Sequence, residues 1–193
     1  MIKGFWQQDW GYQKTANVQL IDTQREQEIQ KIKNHFYHEF DFRKAYDLLS
    51  KNGHSSKGST KLIGEGIHFK SYIFNRESSF PLVISIGKTN FKNNLPSSFE
   101  KWRSCLMQLK RIYMPLIPPF EIVSNSDQIG YVTPYVPDPA DTSHSLWLPI
   151  KDLCDKLSRQ LTRMSLVLDD YWQIKCLRGV PFIIDLSDIK AIK

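Results

Sequence analysis

The sequence predicts an α+β fold, a five-stranded antiparallel sheet with one helix against it, and three observations support that reading. Apolar residues recur at helical spacing in the first 50 positions and as strand-like runs after position 60. Those runs come in the order three strands, one helix, two strands. At 193 residues the chain suits one well-buried domain, and a composition of 41% hydrophobic and 24% charged residues excludes a disordered tail.

Taken in order, Ile29, Ile32, Phe36 and Phe40 repeat at three and four, and Asp22 is a suitable cap, which predicts a helix over 22–39. A second helix over 42–50 stops at Asn52-Gly53, where glycine takes the left-handed turn that ends helices. The small polar run 53–60 then links this helical entry segment, 1–53, to a strand-rich middle, 54–137. Strands are expected over 60–64, 67–75, 81–86, 120–124 and 129–134. Between the third and fourth lies a helix over 97–113, capped by Ser97 or Ser98, with Phe99, Leu106, Leu109, Ile112 and Tyr113 on or near its apolar stripe. After the extended, proline-restricted connector Tyr135-Val136-Pro137-Asp138-Pro139, the last part, 138–193, opens with a helix over 150–168. Its stripe is Leu153, Leu157, Leu161, Met164 and Leu168. A short hairpin, 172–177 and 180–186 about Arg178-Gly179, ends at Asp185.

The net charge of +6 is scattered, with no dense basic run, so nucleic acid is not the expected partner. Cys105, Cys154 and Cys176 lack a Cys-x-x-Cys spacing, which implies neither a disulfide framework nor a structural zinc and fits a reducing compartment. His35, His38, His54, His68 and His144 form no recognised ligand spacing. The first nine residues turn polar too early for a signal-peptide core, and no window nears 18 apolar residues; a soluble, cytoplasmic protein without a membrane span is expected.

Two segments bear candidate chemistry. Leu62-Ile63-Gly64-Glu65-Gly66-Ile67-His68-Phe69-Lys70-Ser71-Tyr72 reads as strand, glycine turn, strand. Gly64 and Gly66 either make an ordinary hairpin turn or let the backbone N–H groups approach a phosphate closely. Phe182-Ile183-Ile184-Asp185 is an apolar strand that delivers one carboxylate at its end. Asp185 either offers that carboxylate to a metal or starts a tight turn beside Ser187 and Asp188.

On these residues and this order, the stretch from about 62 to 188 resembles the protein-kinase-like fold, and is more similar to small bacterial and atypical members such as the aminoglycoside phosphotransferases than to eukaryotic protein kinases. The resemblance implies a small lobe of five strands and one helix, then a minimal, truncated second lobe, with ATP and Mg2+ as cofactors. Gly64 and Gly66 look like the opening of the loop over the phosphates, with Phe69 where a third glycine is usual. In the third strand the apolar run puts Ser85 at the position of the family's lysine; Lys88, three residues on, reaches the nucleotide only through a bulge. Glu100 is the matching helix glutamate, or simply a first-turn acid favoured by the helix dipole. In Leu168-Asp169-Asp170-Tyr171-Trp172-Gln173-Ile174-Lys175, Asp170 matches the catalytic base. Leu168 stands where a histidine is usual, and Lys175 takes the place of a metal-binding asparagine, where it cannot ligate magnesium but can touch phosphate. Asp185 matches the magnesium aspartate.

Three functions are therefore carried forward. Ser85, Leu168, Lys175 and the missing large-lobe helices favour a degenerate kinase-like domain that binds a nucleotide, a small ligand or a protein partner covering the truncated lobe, without ordinary phosphotransfer. The alternative is an active, reduced phosphotransferase, with Asp170 orienting the acceptor, Asp185 holding magnesium and Lys88 or Lys175 neutralising charge. The third is a structural or inhibitory module that needs no nucleotide and docks through Trp6, Trp10, Trp102 and Trp147.

Overall fold

The structure, a computed structural model, describes residues 17–39, 42–53, 60–76, 78–88, 97–111, 116–136, 150–168, 174–178 and 180–192. Asp170, Trp6, Trp10, Trp147 and the connector from Pro137 to Pro139 lie outside them. The described residues form four helices and a five-stranded antiparallel sheet with two smaller strand pairs, an α+β fold. No described helix is long and apolar enough to cross a membrane.

Two helices open the fold, α1 (Asn17–Glu39) and α2 (Phe42–Ser50). α1 starts five residues before the expected cap at Asp22, and no glycine or proline interrupts the stretch between them. α2 ends as predicted: Gly53 sits at φ +80° and its N–H donates to the Leu48 carbonyl at 2.7 Å. A side chain at Gly53 would meet the Tyr72 ring at 2.4 Å, so both backbone and space demand glycine there.

The sheet contains β1 (Lys61–Glu65), β2 (Phe69–Phe74), β3 (Leu82–Gly87), β4 (Glu121–Ser124) and β5 (Ile129–Pro134), in the spatial order β1-β2-β3-β5-β4. Helix α3 (Ser97–Lys110) follows β3, the element order expected of a kinase-like small lobe. Strand alternation divides the sheet into two faces. Tyr72, Phe74, Leu82, Ile84, Ile86, Val123 and Val132 pack with Ile29, Ile32, Phe36, Ala45, Leu48 and Leu49 of α1 and α2. Phe69 and Tyr131 project to the other face and join α3, whose Phe99, Trp102, Cys105, Leu106 and Leu109 are buried. Burial of each such side chain stabilises the fold by about 1.5–3 kcal/mol. The entry helices thus cover the face of the sheet opposite Ser71, Ser85 and Tyr131.

α4 (Ile150–Arg163) supplies Leu153, Leu157 and Leu161 to the second core. The expected helix to Leu168 is corrected here. Ser165 adopts φ +54° and breaks the helix, and Leu166–Leu168 becomes strand β6, antiparallel to β9 (Ile189–Ala191). Backbone pairing with a segment some twenty residues away wins over the apolar stripe, which ran unbroken through the boundary. β7 (Ile174–Leu177) and β8 (Val180–Ile183) form the hairpin that leads to Asp185, with Arg178 at φ +53° in its turn. Ile183 N–H donates to the Leu116 carbonyl at 2.9 Å, which fastens this hairpin to the segment before β4.

Candidate functional site

A cleft of about 930 Å³ opens between the β1–β2 turn, the inner face of the sheet and the turn after β8. Gly64, Gly66, Ser85, Lys175 and Asp185 all line it. The glycine turn and the carboxylate therefore face a common space, although more than 100 residues separate them in sequence.

The glycines are informative because the fold does not require them. Neither has a positive φ; a side chain at Gly64 would meet nothing within 4 Å, and one at Gly66 would meet only the Phe69 carbonyl oxygen at 3.9 Å. β1 is an edge strand with a register shift between Leu62 and Gly64, and Ile67 at the tip is 86% exposed. What glycine adds at this turn is clearance above the cleft.

The floor is a row of hydroxyls across β2, β3 and β5. Ser71 pairs in register with Ser85, and Ser85 with Tyr131. The Ser71 and Ser85 hydroxyl oxygens are 2.8 Å apart, and Ser85 also bonds the Tyr131 hydroxyl. Tyr131 in turn donates to Asp185 Oδ1 at 3.5 Å and accepts from Leu186 N–H at 3.4 Å. Each serine hydroxyl carries one proton, and either can be the donor between them. Burial, then the nearby Asp185 charge, push the Tyr131 phenol well above its ordinary range and keep it a donor.

Ser85 is 4% exposed and stands where the resemblance expects a lysine. The bulge that brings Lys88 inward is absent from β3, whose register with β2 runs unbroken from Phe69↔Gly87 to Phe74↔Leu82. Lys88 lies outside the cleft lining, with its ammonium 2.8 Å from Glu65 Oε1, and that contact holds the Glu65 carboxyl below its usual range. Glu100 is exposed on the first turn of α3 and does not reach the cleft. The N-terminal half of the face α3 turns inward is aromatic, with Phe99 and Trp102. Trp102 packs on Phe69 and Tyr131, with ring centroids 5.0 and 5.7 Å away, and its indole N–H donates to the Leu186 carbonyl at 3.0 Å. Trp102 is thus a buried structural residue, which removes it from the set of exposed docking tryptophans.

Asp185 starts a tight turn and also lines the cleft. Its Oδ1 accepts Ser187 N–H at 2.8 Å, the mark of a tight turn, while the residue lines the cleft. For magnesium the described residues supply few donors. Asp185 and Asp188 are the acidic residues of the lining, Oδ1 of Asp185 is engaged, Lys175 replaces an oxygen ligand, and no group of three metal-binding side chains occurs among the described residues. A magnesium ion here would take Asp185 and Asp188 from the described residues, with ligand phosphates and water completing its shell. Asp170 lies outside the described residues; of the described strands before and after it in sequence, Leu168 pairs with Ile189 and Ile174 with Ile183, in the strands that bracket Asp185.

Sequence reasoning did not single out Tyr131, Ser71 or Thr133. The available signal was alternation in β5, which puts Tyr131 and Thr133 on the face shared with Ser85, but choosing that face required the strand register.

No protein-family model matches the chain, and no curated protein matches it in sequence. Among solved structures the chain is similar to the apoenzyme of macrolide 2'-phosphotransferase from Brachybacterium faecium, at 11% identity and a TM-score of 0.41, over 76% of this chain and 73% of that one.

Proposed function

We propose that the chain is a kinase-like domain that binds a nucleotide in this cleft without ordinary phosphotransfer. The observation that carries the reading is the pair Gly64 and Gly66: neither backbone angle nor packing calls for glycine there, while both line the cleft opposite Asp185. A bare backbone that a ligand approaches closely accounts for them. Loss of phosphotransfer is supported by Ser85 and by the inward face of α3. A lysine on β3 and a glutamate on the helix stabilise each other, and removing one leaves a buried charge that costs about 3–5 kcal/mol. Here neither charge enters the cleft: the strand position is a bonded serine, and Glu100 of α3 is exposed outside the lining.

The test is calorimetric titration of the whole chain with adenosine, AMP, ADP and ATP, beside Gly66→Val. Binding of at least one of them, weakened about tenfold or more in Gly66→Val with an unchanged melting temperature, is expected; no heat with any of them would overturn the proposal. A second reading, an active phosphotransferase of reduced size, draws on the Leu168↔Ile189 and Ile174↔Ile183 pairings, which set the described strands before and after Asp170 in sequence beside those flanking Asp185. Transfer of labelled phosphate from ATP to any acceptor, abolished in Asp170→Asn, would establish it instead.

A further inference from the structure

We propose, on the footing that this cleft binds nucleotides, that Thr133 is its base-reading residue: the hydroxyl bonds the exocyclic group of a purine base lying over Val83, while the phosphates extend toward the Gly64–Gly66 turn and Asp185. Three features of the cleft lead there.

The first is the state of the hydroxyl. Three polar side chains are buried among the described residues, Ser85, Gln128 and Thr133. Ser85 is bonded to Ser71 and Tyr131, and the Gln128 amide donates to Asn52 Oδ1 at 2.8 Å. Thr133 is 6% exposed and lines the cleft, and its hydroxyl bonds none of the described residues. Valine has nearly the same shape and the same preference for a strand, so the fold gains nothing from an oxygen here. A ligand that covers this oxygen must bond it or leave it buried and unpaired, and that penalty is what makes a hydroxyl selective.

The second is the backbone beside it. Pro134 carries no N–H, and the Tyr135 N–H donates to the Pro81 carbonyl at 2.8 Å, extending the ladder between β5 and β3. Neither position offers a donor to the cleft. The Thr133 side chain supplies there what the backbone of 134 and 135 cannot, and a hydroxyl meets either an amino or a carbonyl group because it can accept or donate.

The third is register. Directly opposed residues share a face, so Lys61, Ile73, Val83 and Thr133 form one row across β1, β2, β3 and β5, and Gly64, Ser71, Ser85 and Tyr131 form the next, about 7 Å along the strands. The second row is the polar one and ends on Asp185. In the first, Val83 is a half-buried aliphatic floor beside the hydroxyl, and Ile174 and Ile184 add half-buried aliphatic walls from the hairpin side. A planar base suits the first row, with its edge at Thr133, and its phosphates then cross to the second. Lys61, three strand spacings or about 14 Å from Thr133, stands on the glycine-turn side and serves the phosphates.

Thr133→Val removes the hydroxyl at nearly constant shape, and Thr133→Ser keeps it. Wild-type chain and both variants are titrated by calorimetry in magnesium chloride with adenosine, AMP, ADP and ATP, and with purine riboside and its 5′-triphosphate, whose base carries no amino group. Wild-type protein is expected to bind the purine riboside pair about tenfold more weakly than adenosine and ATP, the scale of one hydrogen bond. Thr133→Val should weaken the adenine series by about the same factor, change the purine riboside pair by no more than about twofold and melt no lower than wild type, while Thr133→Ser stays within about threefold of wild type. A merely structural Thr133 would weaken all six ligands alike. That outcome, an unchanged adenine series, or equal wild-type affinity for the adenine and purine ligands would overturn the inference and leave the nucleotide reading standing. Absence of heat with every ligand would overturn both.

Discussion

Tyr131 Oη stands 3.5 Å from Asp185 Oδ1, tying the middle of the sheet to the turn that bears the carboxylate. The same hydroxyl accepts the Leu186 N–H and bonds Ser85, so a buried phenol organises the cleft floor where a kinase-like site would place an ammonium. Removing it tests the whole row. Tyr131→Phe is expected to lower stability by about 1 kcal/mol, because the ring packing stays while one set of hydrogen bonds is lost. Urea denaturation should show a lower midpoint with an unchanged slope.

The glycines divide by what surrounds them. Gly64→Ala is expected to change stability by less than about 0.5 kcal/mol, since its side chain would enter open space. Gly130→Ala should cost about 1–3 kcal/mol, because its Cβ would lie 2.6 Å from the Ser85 carbonyl oxygen and 3.3 Å from Leu49 Cδ1. Thermal and urea melts of the two variants side by side check the contrast.

Trp102 joins α3 to the segment after Asp185 through its bond to the Leu186 carbonyl and its contacts with Phe69 and Tyr131. Trp102→Ala is expected to destabilise the fold by about 3–5 kcal/mol, the cost of an aromatic-sized hole in a packed core. Far-ultraviolet circular dichroism during denaturation measures it.

At the cleft mouth, the Lys88 hydrogen bond, followed by the Lys70 and Lys88 charges, holds the Glu65 carboxyl below its ordinary value of 4.5. A carboxyl depressed in the folded state contributes stability above its unfolded pKa and loses it as pH falls through the folded value. The contribution of Glu65 should therefore be present above about pH 4.5 and disappear in more acidic solution. Carboxyl titration by nuclear magnetic resonance should find Glu65 below 4.5 in the native chain and closer to it in Lys88→Gln.

Burial, then the Asp155 charge, push the Cys154 thiol from 9.0 up to about 11. At pH 8 this leaves roughly a hundredfold fewer thiolates than in an unshifted cysteine, so alkylation should be slow until the chain unfolds. Because the acid form is favoured in the folded state, the associated stability is present below pH 9 and is lost as pH rises toward 11. Peptide-resolved iodoacetamide labelling with and without urea checks the rate.

Much of the fold was legible locally. The Asn52-Gly53 stop, the five sheet strands and the helix from Ser97 are written in turn chemistry, alternation and periodicity, each acting over a few residues. The boundary at Ser165 was not legible. Leu161, Met164 and Leu168 continue a helical stripe, and only the partner strand Ile189–Ala191 makes Leu166–Leu168 extended. The site divides the same way: Gly64, Gly66 and Asp185 stand out in their own segments, while Tyr131 looks like any strand aromatic until the register sets it against Ser85.

By itself the sequence determined the order of elements, the neutral residue at position 85 and the two glycines of the β1–β2 turn, since these depend on neighbours within a few positions. Tertiary structure decided which charges meet. It sent Lys88 to Glu65, turned Trp102 inward and left Glu100 outside, and joined Ser71, Ser85 and Tyr131 to Asp185 across four separate segments. The reason is that a side chain's partners depend on strand register and helix rotation: a shift of one residue reverses the face in a strand and turns the side chain by about 100° in a helix.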